Sequence, residues 1–63
     1  MQEILRKQVK VVKALYGEDF TYKDIAKMLD ININSFYNWL NNYYNLGREK
    51  EKTLQDFVND ILY

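Results

Sequence analysis

The sequence predicts an all-α fold, four helices in one small domain over residues 1–63. Apolar residues recur at intervals of three and four, the period that gathers them on one face of a helix. Proline is absent, and Gly17 and Gly47 are the two strong breaks, so the helices are expected to be joined by short turns. A chain of 63 residues buries only roughly 60% of the surface it exposes when unfolded. That is enough for one core and too little for a large catalytic pocket.

The first helix is expected over 2–16. Leu5, Val9, Val12 and Tyr16 mark its apolar stripe, Ile4, Val11 and Leu15 widen it, and Arg6, Lys7, Lys10 and Lys13 take the remaining face. Gly17 should end it, because a residue without Cβ adopts positive φ at no steric cost. After Glu18-Asp19-Phe20, Thr21-x-x-Asp24 reads as the start of a second helix over 22–29. The hydroxyl can accept from a first-turn amide, and the carboxylate suits the positive end of the helix dipole. Ile25, Met28 and Leu29 form its stripe, with Ala26 small enough to let a neighbouring backbone approach. Asp30-Ile31-Asn32 interrupts, and Asn32 caps a third helix over 33–41 that buries Phe36, Trp39 and Leu40. Residues 42–47 (NYYNLG) form a turn, with Tyr43 and Tyr44 expected to pack over the core. A final helix over 48–62 carries the stripe Leu54, Phe57, Val58, Ile61 and Leu62.

Composition narrows the function. There is no histidine and no cysteine, which removes the usual structural zinc sites, disulfides, Cys/His nucleophile pairs and histidine bases. No enzyme activity, metal, cofactor or small-molecule substrate is expected. Apolar runs of three residues or fewer fall far short of the ~20 that span a bilayer, so no membrane partner and a cytoplasmic location are expected. Phe, Tyr, Met, Ile, Asn and Lys supply 30 of the 63 residues, a skew that suggests A·T-rich coding DNA, as in a low-GC bacterium or its phage. Nine Lys plus Arg against nine Asp plus Glu leave no net charge, which speaks against bulk attraction to nucleic acid.

The segment 22–40 has the parts of a helix-turn-helix: two short helices, a turn of three or four residues, a small inner residue on the first and a buried aromatic on the second. It resembles the lambda-repressor/Cro-like family of phage and bacterial regulators. Ala26, Ile25 and Leu29 match the positioning helix, Ile31 the apolar turn residue, Phe36 and Trp39 the inner face of the recognition helix, and Asn41-Asn42 the family's Asn-Gly. Two departures stand out: Asp30 replaces the usual turn glycine, and Tyr22 replaces a frequent glutamine. The resemblance implies a compact four-helix domain that binds double-stranded DNA. It also implies a transcription regulator or repressor of a phage or mobile element, working as a homodimer with helix 33–41 in the major groove.

On that reading Ile33, Asn34, Tyr37 and Asn38 face base edges. An Asn amide can pair with adenine N6 and N7 and Ile can pack on a thymine methyl, which implies an A·T-rich operator. Tyr22, Lys23, Lys27, Asn32, Ser35, Asn41, Tyr43, Tyr44, Arg48 and Lys50 are the candidates for the phosphate backbone. Each has a plainer alternative: Asn32 as a helix cap, Asn34 and Asn38 as codon-driven surface residues, the tyrosines as cover for the core, the cations as a solvated face. Six of the seven asparagines nevertheless fall between Asn32 and Asn45, and no acid lies between Ile31 and Arg48. Placement of charge, more than its sum, governs phosphate contact, because a carboxylate beyond a ~8 Å Debye length is screened. Other readings are a protein-interaction module, inhibitor or adaptor, on the same scaffold, or the N-terminal domain of a longer regulator. The stripe of the last helix could serve as core alone or as core and dimer surface.

Overall fold

The structure, a computed structural model, describes residues 2–63; Met1, part of the expected 1–63 domain, lies outside them. Four helices follow in order, α1 (Gln2–Tyr16), α2 (Tyr22–Met28), α3 (Ile33–Leu40) and α4 (Arg48–Leu62), and there is no strand among the described residues. None of these helices is long and apolar enough to cross a membrane. The fold is all-α. α1 packs on α4 and α2 on α3, and every element sends side chains to one core. Leu5, Val9 and Val12 come from α1, Ile25 and Ala26 from α2, Phe36, Trp39 and Leu40 from α3, and Leu54 and Val58 from α4; Leu29 and Leu46 enter from the connections. The fully buried members each contribute about 1.5–3 kcal/mol by leaving water.

α2 and α3 stop in the same way. After α2 the amide of Asp30 donates to the Lys27 carbonyl (3.0 Å) and that of Ile31 to the Ala26 carbonyl (3.0 Å). After α3 the amide of Asn42 donates to the Trp39 carbonyl (3.1 Å) and that of Tyr43 to the Asn38 carbonyl (2.7 Å). This double bond pattern requires a left-handed residue after the cap, and Asp30 (φ 56°) and Asn42 (φ 71°) fill that place. Short polar side chains tolerate the conformation better than other residues with a Cβ. The turn Leu29 to Asn32 is therefore fixed by backbone bonds at one end and by a side-chain cap at the other.

The α2 start is a reciprocal capping box. Thr21 Oγ1 accepts from the Asp24 amide (3.2 Å), while the Asp24 carboxylate accepts from the Thr21 amide (3.2 Å) and hydroxyl (2.9 Å). The side-chain and backbone bonds from Thr21, in that order, hold the Asp24 carboxyl below the ordinary value. A lowered folded-state pKa stabilises the fold above the ordinary Asp pKa of about 3.9, and that contribution disappears as pH falls through the folded value. Thr21→Ala is expected to cost about 1 kcal/mol near neutral pH and to flatten the acid limb of melting temperature against pH. An unchanged acid limb in the variant would show that Asp24 gains nothing from Thr21.

Several expectations need correction. α2 ends at Met28 and α3 at Leu40, each one residue early, with Leu29 and Asn41 as caps. Met28 is exposed, because the Ile25–Ala26–Leu29 edge of so short a helix meets the core and its last residue falls at the rim. Ile4, Val11 and Leu15 are exposed as well. About 100° per residue sets them roughly a quarter-turn from the Leu5–Val9–Val12 line, and the bond from Gln55 Nε2 to Gln8 Oε1 (2.9 Å) links α1 and α4 beside them. Tyr16 is partly exposed, at 38%. Gly17 does not take positive φ: α1 closes through the Asp19 and Phe20 amides, which both donate to the Tyr16 carbonyl (2.9 Å each). A Cβ at Gly17 would instead meet the Lys13 carbonyl oxygen at 2.5 Å. Tyr43 and Tyr44 do not cover the core; Leu46 does, and both tyrosines face solvent.

Candidate nucleic-acid interface

α3 is amphipathic in an unusual sense, since its outer face is polar without being charged. Phe36, Trp39 and Leu40 anchor the inner face. Phe36 lies against Trp39 (5.6 Å between ring centroids) and Tyr22 (5.7 Å), and Tyr22 meets Tyr37 edge to face at 6.0 Å. Such pairs add about 0.5–1.5 kcal/mol to burial and fix the rotation of the helix. With the inner face fixed, Asn34, Tyr37, Asn38 and Asn41 are exposed together on the outer one. Ile33 is half-buried and packs against the core, which leaves only part of it for any base contact. Ser35 is half-buried, and Asn32 uses its side-chain oxygen to cap α3, accepting from the Asn34 amide at 2.8 Å.

The cations divide into two groups. Lys23 and Lys27 on α2 and Arg48 at the start of α4 are exposed. Lys50 is not a simple surface charge: its Nζ donates to the carbonyl of Leu29, the α2 cap, at 3.0 Å. Arg6 departs furthest from expectation. Its guanidinium is buried, donates through Nε to the Trp39 carbonyl and through Nη2 to the Tyr44 carbonyl (3.5 Å), and lies 5.0 Å from the Trp39 ring centroid. It belongs to the interior and not to the charged outer face of α1 where periodicity places it. Lys13 sits over the Tyr22 ring at 5.8 Å. Burial, and then the neighbouring Tyr37, push the Tyr22 hydroxyl above the ordinary phenol range, so it is a neutral donor at physiological pH.

Tyr43 is 83% exposed and Tyr44 42%, both beyond the end of α3. The groove along α4 between Arg48, Glu51, Lys52, Gln55 and Asp56 mixes both signs of charge and offers no anion cradle. The apolar stripe of α4 contributes to the core. Leu54 and Val58 are buried, Phe57, Ile61 and Leu62 pack against them, and Phe20 meets Phe57 edge to face at 5.3 Å.

Residues 7–59 match the profile of a family described as "Putative ATPase subunit of terminase (gpP-like)". No curated protein matches the chain, and no solved structure does. The family match overturns the resemblance to lambda-repressor/Cro-like proteins, and with it the roles of transcription regulator and repressor and the idea of an operator. It lends no support to the interaction-module reading or to a longer regulator either. The physical reason is that Ala26, Ile31, Phe36 and Trp39 specify how two short helices pack, and such packing is shared by proteins of different function. The description also links the chain to an enzyme, where composition led to none being expected. With 7–59 of its 63 residues matched, the chain belongs to this terminase family.

Proposed function

We propose that the chain is a DNA-contacting domain of a phage DNA-packaging terminase, holding double-stranded DNA through α3 and the segments on either side of it. The observation that carries this reading is the outer face of α3. Asn34, Tyr37, Asn38 and Asn41 form an exposed surface free of charge, and the chain has no acid from Ile31 to Arg48. Membership in a terminase family supplies the reason for such a surface to meet a duplex. Asn34 and Asn38 amides suit adenine edges, and Tyr37 and the exposed part of Ile33 suit thymine methyls. Lys23, Lys27 and Arg48 are the phosphate contacts, joined by the Tyr22 hydroxyl, Ser35, Asn41, Tyr43 and Tyr44. These 63 residues contain no G-x-x-x-x-G-K-[ST] phosphate loop.

With Arg6 and Lys50 engaged by carbonyls and Lys23, Lys27 and Arg48 as the cationic phosphate contacts, non-specific affinity should be modest, with a log–log salt slope of about −2.7. Binding to a short random-sequence duplex, followed by fluorescence anisotropy between about 50 and 200 mM salt, is expected to weaken along a straight line in log–log form. Lys23→Ala should lower the slope by about 0.9, the value of one phosphate. Binding that ignores salt, or no binding at the lowest salt, would overturn the proposal.

A further inference from the structure

We infer that Arg6 is a positioning residue for the DNA-contacting surface, acting from α1 on the end of α3; the inference rests on the DNA reading above. α3 has no basic residue in its last turn, so the negative end of its dipole has no cation of its own. Arg6 supplies one from another helix. One planar guanidinium holds the carbonyl of Trp39, inside that last turn, and the carbonyl of Tyr44, in the chain leaving it, while resting on the Trp39 ring. The Trp39 carbonyl accepts the Asn42 amide as well, so the same oxygen ties Arg6 to the left-handed turn that reverses the chain. The positions of Asn38, Asn41, Tyr43 and Tyr44 thus depend on a side chain more than thirty residues away in sequence. At 8% exposure the Arg6 side chain is not available to a phosphate. Lysine retains the charge but has neither the planar fork nor the stacking surface, so it cannot hold both carbonyls.

The test compares Arg6→Lys, Arg6→Met and Lys23→Ala with the wild-type chain, at a temperature where circular dichroism shows equal helix content. Arg6→Met, which removes the guanidinium donors from the Trp39 and Tyr44 carbonyls and leaves Trp39 only the Asn42 amide, serves as the extreme case; Arg6→Lys keeps the comparison open if the methionine variant does not fold. For Arg6→Lys, duplex affinity should fall about tenfold, the cost of ordering on binding the side chains that Arg6 no longer positions, with the salt slope unchanged. Amide exchange should accelerate at Asn42 and Tyr43 and not in α1 or α4. Lys23→Ala should show the opposite signature, a lower slope with unchanged exchange. Wild-type affinity in Arg6→Lys, or a slope reduced by about 0.9 as for a phosphate ligand, would overturn the inference. If the wild-type chain bound no duplex, the DNA reading would fail and the role toward DNA with it. Unchanged exchange at Asn42 and Tyr43 beside normal wild-type binding would refute the positioning role alone.

Discussion

Trp39→Ala is expected to abolish cooperative unfolding. Trp39 is fully buried, stacks on Phe36, lies under the Arg6 guanidinium and is among the largest side chains of the core. Removing a buried Trp or Phe ring costs about 3–5 kcal/mol through lost transfer energy and the cavity left behind. At roughly 0.05–0.15 kcal/mol per residue, a chain of this length has a total stability of only about 3–9 kcal/mol. The substitution therefore removes most of the margin. Far-UV circular dichroism against temperature should show a low-helix state or a broad slope for Trp39→Ala. Tyr43→Ala, whose side chain is 83% exposed, should melt within about 0.5 kcal/mol of the wild type. A sharp melt for Trp39→Ala within a few degrees of the wild type would mean that the core is not organised around this ring.

The second large effect is expected at Gly47, the residue before α4. Its φ of 84° and ψ of 162° lie in a region that is essentially restricted to glycine, and a side chain there costs about 1–3 kcal/mol in backbone strain. A Cβ at this position would meet nothing within 4 Å, so the whole cost is conformational. Gly47→Ala should lower the urea midpoint accordingly. The same position substituted with D-alanine, accessible because a chain this short can be synthesised, should be neutral or stabilising, since positive φ is natural to the D configuration. Equal losses from both alanines would point to a steric cause and contradict the conformational one. Gly17 offers the contrast. It has no positive φ, and the obstacle to a side chain there is the Lys13 carbonyl.

The helices themselves could be read from spacing and caps. Thr21 with Asp24 and Asn32 before Ile33 are local signals, each decided by residues within one turn, and the structure has both. What spacing could not convey was which of two adjacent apolar lines on α1 is covered. Leu5–Val9–Val12 and Ile4–Val11–Leu15 have similar periods, and only the placement of the other helices distinguishes them. Arg6 was missed because periodicity treats every cation as outward. Spacing carried no signal for it, since α3 and α4 alike lack a basic residue in the last turn. Leu46 was hidden by its polar neighbours in the connecting turn, although it is the single aliphatic residue there. Family membership was not legible at all, because the residues that define the packing of α2 on α3 constrain geometry and not biological role.

The inner face of α3 is packed through the rings of Tyr22, Phe36 and Trp39 and its end is held by a buried arginine, which together set the orientation of its uncharged outer face. The most direct test of the claim that this face meets double-stranded DNA is the amide chemical-shift map of the isotope-labelled chain titrated with a short duplex at low salt. Shifts are expected to concentrate at Lys23, Lys27, Asn34, Tyr37, Asn38, Asn41, Tyr43 and Arg48 and to diminish as salt is added. Shifts centred instead on the exposed Ile4, Val11 and Leu15 side of α1, or no shifts at all, would contradict that claim.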